Sequence, residues 1–187
     1  GLYFLFGARP KHISNSFLGT LLLILSVRIG KSVFFYFQPD MAFIYLQIGL
    51  SICFFVGPFL YFYVLSLKGK ITSKSKFWRY HFLLLILIIT LVGIRYPFES
   101  NSSVWRPYII YGIYMQWLIY TLLAGWELRD DLALLVDQPK KINAHQLWVL
   151  SIFIGILLIW AAYSFTSYTY YIVGALTFSF LFYLLVL

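Results

Sequence analysis

The apolar residues of this chain come in runs of about twenty with almost no charge inside them, and that pattern dictates most of what the chain can fold into. As a helix rising 1.5 Å per residue, one such run covers the ~30 Å hydrocarbon core of a bilayer. A helix on the surface of a soluble domain would instead interrupt its apolar residues with polar ones every third or fourth position. Hydrocarbon offers the backbone no hydrogen-bond partners, so each run must satisfy its own N–H and C=O groups, which a helix does. Composition agrees: 62% of residues are hydrophobic and 11% charged, against about 45–50% and 25% in soluble domains. The fold class is therefore all-α, a polytopic transmembrane helical bundle. Many of the 16 Tyr and 6 Trp lie near the ends of the runs, where amphipathic rings favour the headgroup region.

Six complete spans read at about residues 16–37, 42–67, 77–94, 105–126, 147–165 and 168–187. Residues 1–8 form an apolar piece too short to cross, which reads as the end of a truncated helix. Residues 1–187 are thus expected to be a single transmembrane domain, a seven-helix module in full length. The connections carry Pro39-Asp40, Lys68-Gly69-Lys70, the stretch from Pro97 to Ser103, and Pro139-Lys140-Lys141, all polar or helix-breaking.

The basic residues orient the bundle. One side carries ten of the 14 Lys and Arg: Arg9, Lys11, Lys68, Lys70, Lys74, Lys76, Arg79, Arg129, Lys140 and Lys141. The other carries Arg95 and Arg106. By the positive-inside rule the ten-residue side is cytoplasmic, and the C-terminus at Leu187 emerges there. The cluster Lys68, Lys70, Lys74, Lys76 and Arg79 is expected to contact lipid headgroups rather than nucleic acid.

Arg28 and Lys31 sit within a span, spaced i, i+3 on one face and displaced toward the outer side. A cation at mid-helix costs about 2.5 kcal/mol or more unless it is paired or reaches water, so the default for such a residue is a functional site. The alternative is that both snorkel outward or pair with Asp40, Glu99 or a carbonyl dipole. Gln47 and Gln116 are the other in-span polar groups. They either bond between helices or line an outward-facing cavity with Arg28 and Lys31, suited to an anionic or carboxylate-bearing ligand. Tyr45, Tyr111 and Tyr114 offer hydroxyls nearby. Gly57-Pro58 predicts a kink in the second span, because proline removes a backbone donor and clashes with the preceding turn. Glu127, Arg129, Asp130 and Asp131 read as a solvated helix end.

Several chemistries find no residues. His12, His81 and His145 have no ligand spacing and no Cys, Asp or Glu to complete a metal set. Cys53 is a lone thiol within a span, read as packing. No nucleophile motif is present, and no acidic residue lies deep in a span to carry protons. Neither catalysis nor a cofactor is expected.

The strings FLGTLLLILSVRIGKSVFFYF (17–37), GPFLYFYVLSL (57–67) and SYTYYIVGALTFSFLFYLLVL (167–187) resemble the membrane half of bacterial AraC-type regulators, especially those of the Bacteroidetes. The likeness runs over essentially the whole chain. It implies a multi-span module in the bacterial inner membrane, followed in the full-length protein by a cytoplasmic domain with two helix-turn-helix units. No helix-turn-helix sequence occurs in these 187 residues, so DNA would be a partner only through that further domain. The resemblance implies a sensor that passes an outer or intramembrane signal to DNA-bound machinery. The competing reading is an accessory subunit of a larger inner-membrane assembly, with other membrane subunits or a second copy as partners.

Overall fold

The computed structural model describes residues 12–37, 43–137 and 139–165. Its helices are α1 (Ile13–Phe37), α2 (Phe43–Cys53), α3 (Val56–Leu67), α4 (Phe77–Arg95), α5 (Ser102–Val104), α6 (Ile110–Glu127), α7 (Arg129–Asp137) and α8 (Ala144–Phe165), with a π-helical stretch at Trp105–Ile109 and a 3-10 turn at Pro139–Lys141. Five helical segments among the described residues are long and apolar enough to cross a membrane: Ile13–Lys31, Phe43–Leu67, Phe77–Arg95, Ser102–Glu127 and Ala144–Ser164. They correspond to the first five expected spans. The sixth, 168–187, and the stub at 1–8 lie outside the described residues.

Two expected boundaries shift for identifiable reasons. The fifth span begins at Ala144 rather than 147 because Asn143 and Gln146 form a reciprocal cap. The Asn143 Oδ1 accepts from the Gln146 backbone N–H at 2.8 Å, and the Asn143 N–H donates to Gln146 Oε1 at 3.2 Å. The fourth begins at Ser102 rather than 105, its first turns passing through the π-helical stretch at Trp105–Ile109.

The second span is discontinuous. Helix α2 stops at Cys53, Phe54 and Phe55 form a turn, and α3 starts at Val56. Pro58 explains the break: it has no N–H to donate to the Phe54 carbonyl, and its ring crowds that carbonyl. The chain tightens to i→i−3 bonds, Phe54 N–H to Ser51 O and Phe55 N–H to Ile52 O, both 3.1 Å. The expected kink is thus a full interruption near the middle of the span. At its other end α3 closes on Gly69, whose φ of +70° lets the Lys70 N–H return to Leu65 O at 3.0 Å.

Helix α3 is the centre of the bundle. Val56, Leu60, Phe62 and Val64 are buried, and the helix packs chiefly on α1 and α6. Gly57 permits the α6 approach: a β-carbon there would lie 2.8 Å from Trp117 O and 2.9 Å from Trp117 Cα. Toward the basic end the core is aromatic, with Phe59 stacked on Phe82 at 4.3 Å and Phe17 edge-on to Trp78 at 5.5 Å. Helix α4 buries only the stripe Phe82, Leu85 and Ile89, turning Leu83, Leu84, Leu87 and Leu91 outward. An apolar outer surface is what a helix facing lipid presents.

Candidate functional site

The residue type that sequence singles out first is also the most deeply placed cation. Arg28 is 4% exposed, about 22 Å along α1 from Ile13 at 1.5 Å per residue. Its Nη2 donates to the Tyr114 hydroxyl of α6 at 3.3 Å. Its guanidinium carbon lies over the Tyr163 ring of α8, 4.5 Å from the centroid. A desolvated guanidinium over an aromatic face gains up to about 2 kcal/mol. Tyr114 is itself braced, because its carbonyl accepts the Trp160 indole N–H of α8 at 2.8 Å. Arg28 thus ties α1 to both α6 and α8. Cys53, the last residue of α2, lies close enough to interact electrostatically with Arg28. The carbonyl end of a helix carries partial negative charge, so a helix that ends in mid-membrane presents a cation with a favourable dipole.

Lys31 follows one turn on, still within electrostatic range of Arg28 and Cys53. Its aliphatic stem lies across Gly49 of α2, where an added β-carbon would run into Lys31 Cγ and Cδ. With Val27, Gly30, Phe34, Tyr45 and Ile48 it lines a cleft of about 540 Å³ between α1 and α2. Phe34, Tyr45 and Ile48 are exposed, so the cleft opens on the side of the bundle. Of the sequence pair, Arg28 is the buried clamp, and Lys31, beside it, also lines the cleft.

The two in-span amides also part company. Gln47 bonds between elements at both ends: Nε2 donates to Gly93 O at 3.0 Å and Oε1 accepts the Phe98 N–H at 2.8 Å. It staples α2 to the end of α4 and the following turn. Gln116 is partly buried, and its amide atoms find no hydrogen-bond partner among the described residues. Neither amide lines the α1–α2 cleft. Of the three tyrosines, Tyr114 joins the Arg28 clamp, Tyr45 lines the cleft, and Tyr111 is exposed. Gly57 and Pro58 serve the α3–α6 contact and the helix break.

The basic end departs from expectation. Lys68 meets Asp131 and Lys70 meets Glu127, each at 2.6 Å. Asp131 also accepts from Gln146 Nε2 at 2.7 Å, so one carboxylate links the loop after α3, α7 and α8. Burial opposes its ionisation, but hydrogen bonds from Lys68 and Gln146 outweigh that and hold the carboxyl below its ordinary range. Glu127 and Asp131 are 17% and 14% exposed and form a half-enclosed clamp, whereas Arg129 and Asp130, 57% and 81% exposed, are the solvated helix end expected from the sequence. Lys74, Lys76 and Arg79 are exposed. Arg79 donates to Ser73 O at 3.1 Å and covers the Trp78 ring. Among the described residues no group of three His, Cys, Asp or Glu could hold a metal.

Sequence reasoning missed Tyr163, Trp160, Gly30 and Gly49. Only the small residues carried a signal: Gly30 and Gly49 sit in flanking spans near the in-span lysine, where side-chain volume is absent. No protein-family model, curated protein or solved structure matches the chain.

Proposed function

We propose that this chain is the membrane-embedded sensing module of an AraC-type transcriptional regulator of a bacterial inner membrane, its C-terminus in the cytoplasm. In this reading it relays an outer or intramembrane signal to a DNA-binding domain. The observation that carries the reading is the Arg28 clamp. A cation held by two tyrosines, at the point where α2 is interrupted, joins three helices through interactions that depend on geometry. A signal biases such a bundle only by binding two packings unequally, and a clamp between α1, α6 and α8 is an element whose making and breaking distinguishes two packings. The resemblance of residues 17–37 and 57–67 to the membrane halves of such regulators supplies the direction of the output.

Reading the gene for about a hundred codons past Leu187 tests this. Two helix-turn-helix units are expected; a stop codon or a further span overturns the reading. A second reading, an accessory subunit seated against other membrane proteins, requires the outward apolar face of α4 to meet protein rather than lipid. Stoichiometric copurification with such subunits in mild detergent would support that alternative.

A further inference from the structure

The cluster of cations between residues 68 and 79 divides into two sets. Lys68 and Lys70 are engaged by Asp131 and Glu127, each at 2.6 Å. Lys74, Lys76 and Arg79 are exposed, and none of the three enters an ion pair among the described residues. From this division we infer that Lys74, Lys76 and Arg79 hold the headgroup of an anionic phospholipid in the leaflet at the basic end, its acyl chains lying along the outward face of α4. Sequence alone gives all five cations that role; the ion pairs withdraw two of them, and the register of α4 adds a track for the chains.

Lys76 precedes α4 with helical backbone angles, φ −81° and ψ −20°. Lys76, Tyr80, Leu83 and Leu87 therefore fall at i, i+4, i+7 and i+11 on one stripe of the helix. Tyr80, Leu83 and Leu87 are all exposed. From Lys76 to Leu87 is about 16 Å at 1.5 Å per residue, half of the ~30 Å core and so the depth of one leaflet. A cation at the boundary above an apolar track of that length matches both parts of a lipid. The exposed rings of Phe77 and Tyr80 stand beside the cations, at the level where amphipathic aromatic groups favour the headgroup region. Arg79 is also held in place: it donates to Ser73 O at 3.1 Å, and its guanidinium carbon lies 5.3 Å from the Trp78 ring centroid. Its other N–H groups form a planar fork suited to phosphate oxygens. Nucleic acid would match the three cations as well, but it would leave the leucine track unmatched.

The test is lipid retention by the full-length protein in nanodiscs of equal phosphatidylglycerol and phosphatidylcholine with identical acyl chains, read by native mass spectrometry. The protein should retain the anionic lipid over the zwitterionic one by at least about tenfold, a difference of about 1.4 kcal/mol. Lys74→Gln, Lys76→Gln and Arg79→Gln together should bring the ratio close to one. Each single change, at an exposed position that the fold does not depend on, should lower it about twofold, an equal share of the tenfold. Neutralising both ion pairs entire, with Lys68→Gln, Lys70→Gln, Glu127→Gln and Asp131→Asn, leaves the net charge as it was and should leave the ratio as it was. Equal retention of the two lipids by the parent, or a ratio that survives the triple substitution, overturns the site. So does a ratio that falls when the pairs are neutralised while the unfolding midpoint holds. Glycerol phosphate, the head without its chains, should not displace the lipid, and neither should a short DNA duplex. Displacement by the first would make this a site for free phosphate, displacement by the second one for nucleic acid, and either result overturns the lipid.

Discussion

The bundle holds two groups of cations in opposite ways. At the basic end, Lys68 and Lys70 sit on the carboxylates of Asp131 and Glu127, contacts that close two loops and leave little net charge. In the interior, the described partners of Arg28 are a tyrosine hydroxyl and a tyrosine ring, beside the carbonyl end of a broken helix. The first arrangement quenches charge; the second tolerates it. Half-exposed ion pairs contribute ~0–1 kcal/mol each, whereas an interior guanidinium is costly to place and costly to lose. The difference teaches where to look for function. Pairing at the loops is ordinary construction, while a cation retained at depth, with a tyrosine hydroxyl and a tyrosine ring among its partners, is maintained against a free-energy penalty.

Removing the interior cation should therefore give the largest effect. Arg28→Ala deletes a buried side chain that bridges three helices, and a loss of about 3 kcal/mol is expected, in the range of large-to-small core changes. Arg28→Met fills most of the space without the charge and should return to within about 1 kcal/mol of the parent. If the guanidinium serves signalling rather than folding, the Met variant is stable and yet gives no transcriptional response. Unfolding in detergent and a reporter gene read the two properties apart. An Arg28→Ala variant as stable as the parent would erase the contrast between interior and end.

Next in size is the contact that brackets the clamp. Gly57→Ala puts a β-carbon 2.8 Å from a backbone oxygen and 2.9 Å from a backbone carbon of Trp117. Backbone cannot swing aside as a side chain can, so the helices must separate. Overpacking of this kind costs about 1–3 kcal/mol, and about 2 is expected here. A loss of this size would mark the α3–α6 crossing as the rigid wall against which Arg28 is held. Gly57→Ala as stable as the parent would place that rigidity elsewhere.

How much of this was legible in the sequence follows from the range of each interaction. The spans were, because hydrocarbon thickness acts on every run of residues in the same way. Pro58 announced the break, although only the structure shows that the helix stops outright at Cys53. The Asn143–Gln146 cap was available as a three-residue spacing and went unread. Arg28 stood out by residue type alone, but Tyr114 is 86 residues away and Asp131 is 63 from Lys68. Nothing local links such partners. Gln47 and Gln116 show the same limit: as sequence both are in-span amides, and only packing makes one a staple and leaves the other outside the described hydrogen-bond network.

The smallest effect is expected at the basic end, and its pH dependence distinguishes it from the interior. The Asp131 carboxyl is held below its ordinary value of 3.8 by hydrogen bonds from Lys68 and Gln146, against the opposing cost of burial. A carboxyl with a depressed folded-state pKa binds protons more weakly folded than unfolded, so its stabilisation is fully present above the ordinary value. It fades as pH falls through the depressed one. Asp131→Asn should cost no more than about 1 kcal/mol at neutral pH, and the difference from the parent should shrink below pH 3.8. Added salt should shrink it too, since the pair is partly exposed and screened. Unfolding midpoints of parent and variant in neutral-lipid nanodiscs, compared across pH and salt, measure this. A cost that stayed constant under both would mean that Asp131 acts through shape, as Arg28's neighbours do, and the two ends of the bundle would no longer differ in kind.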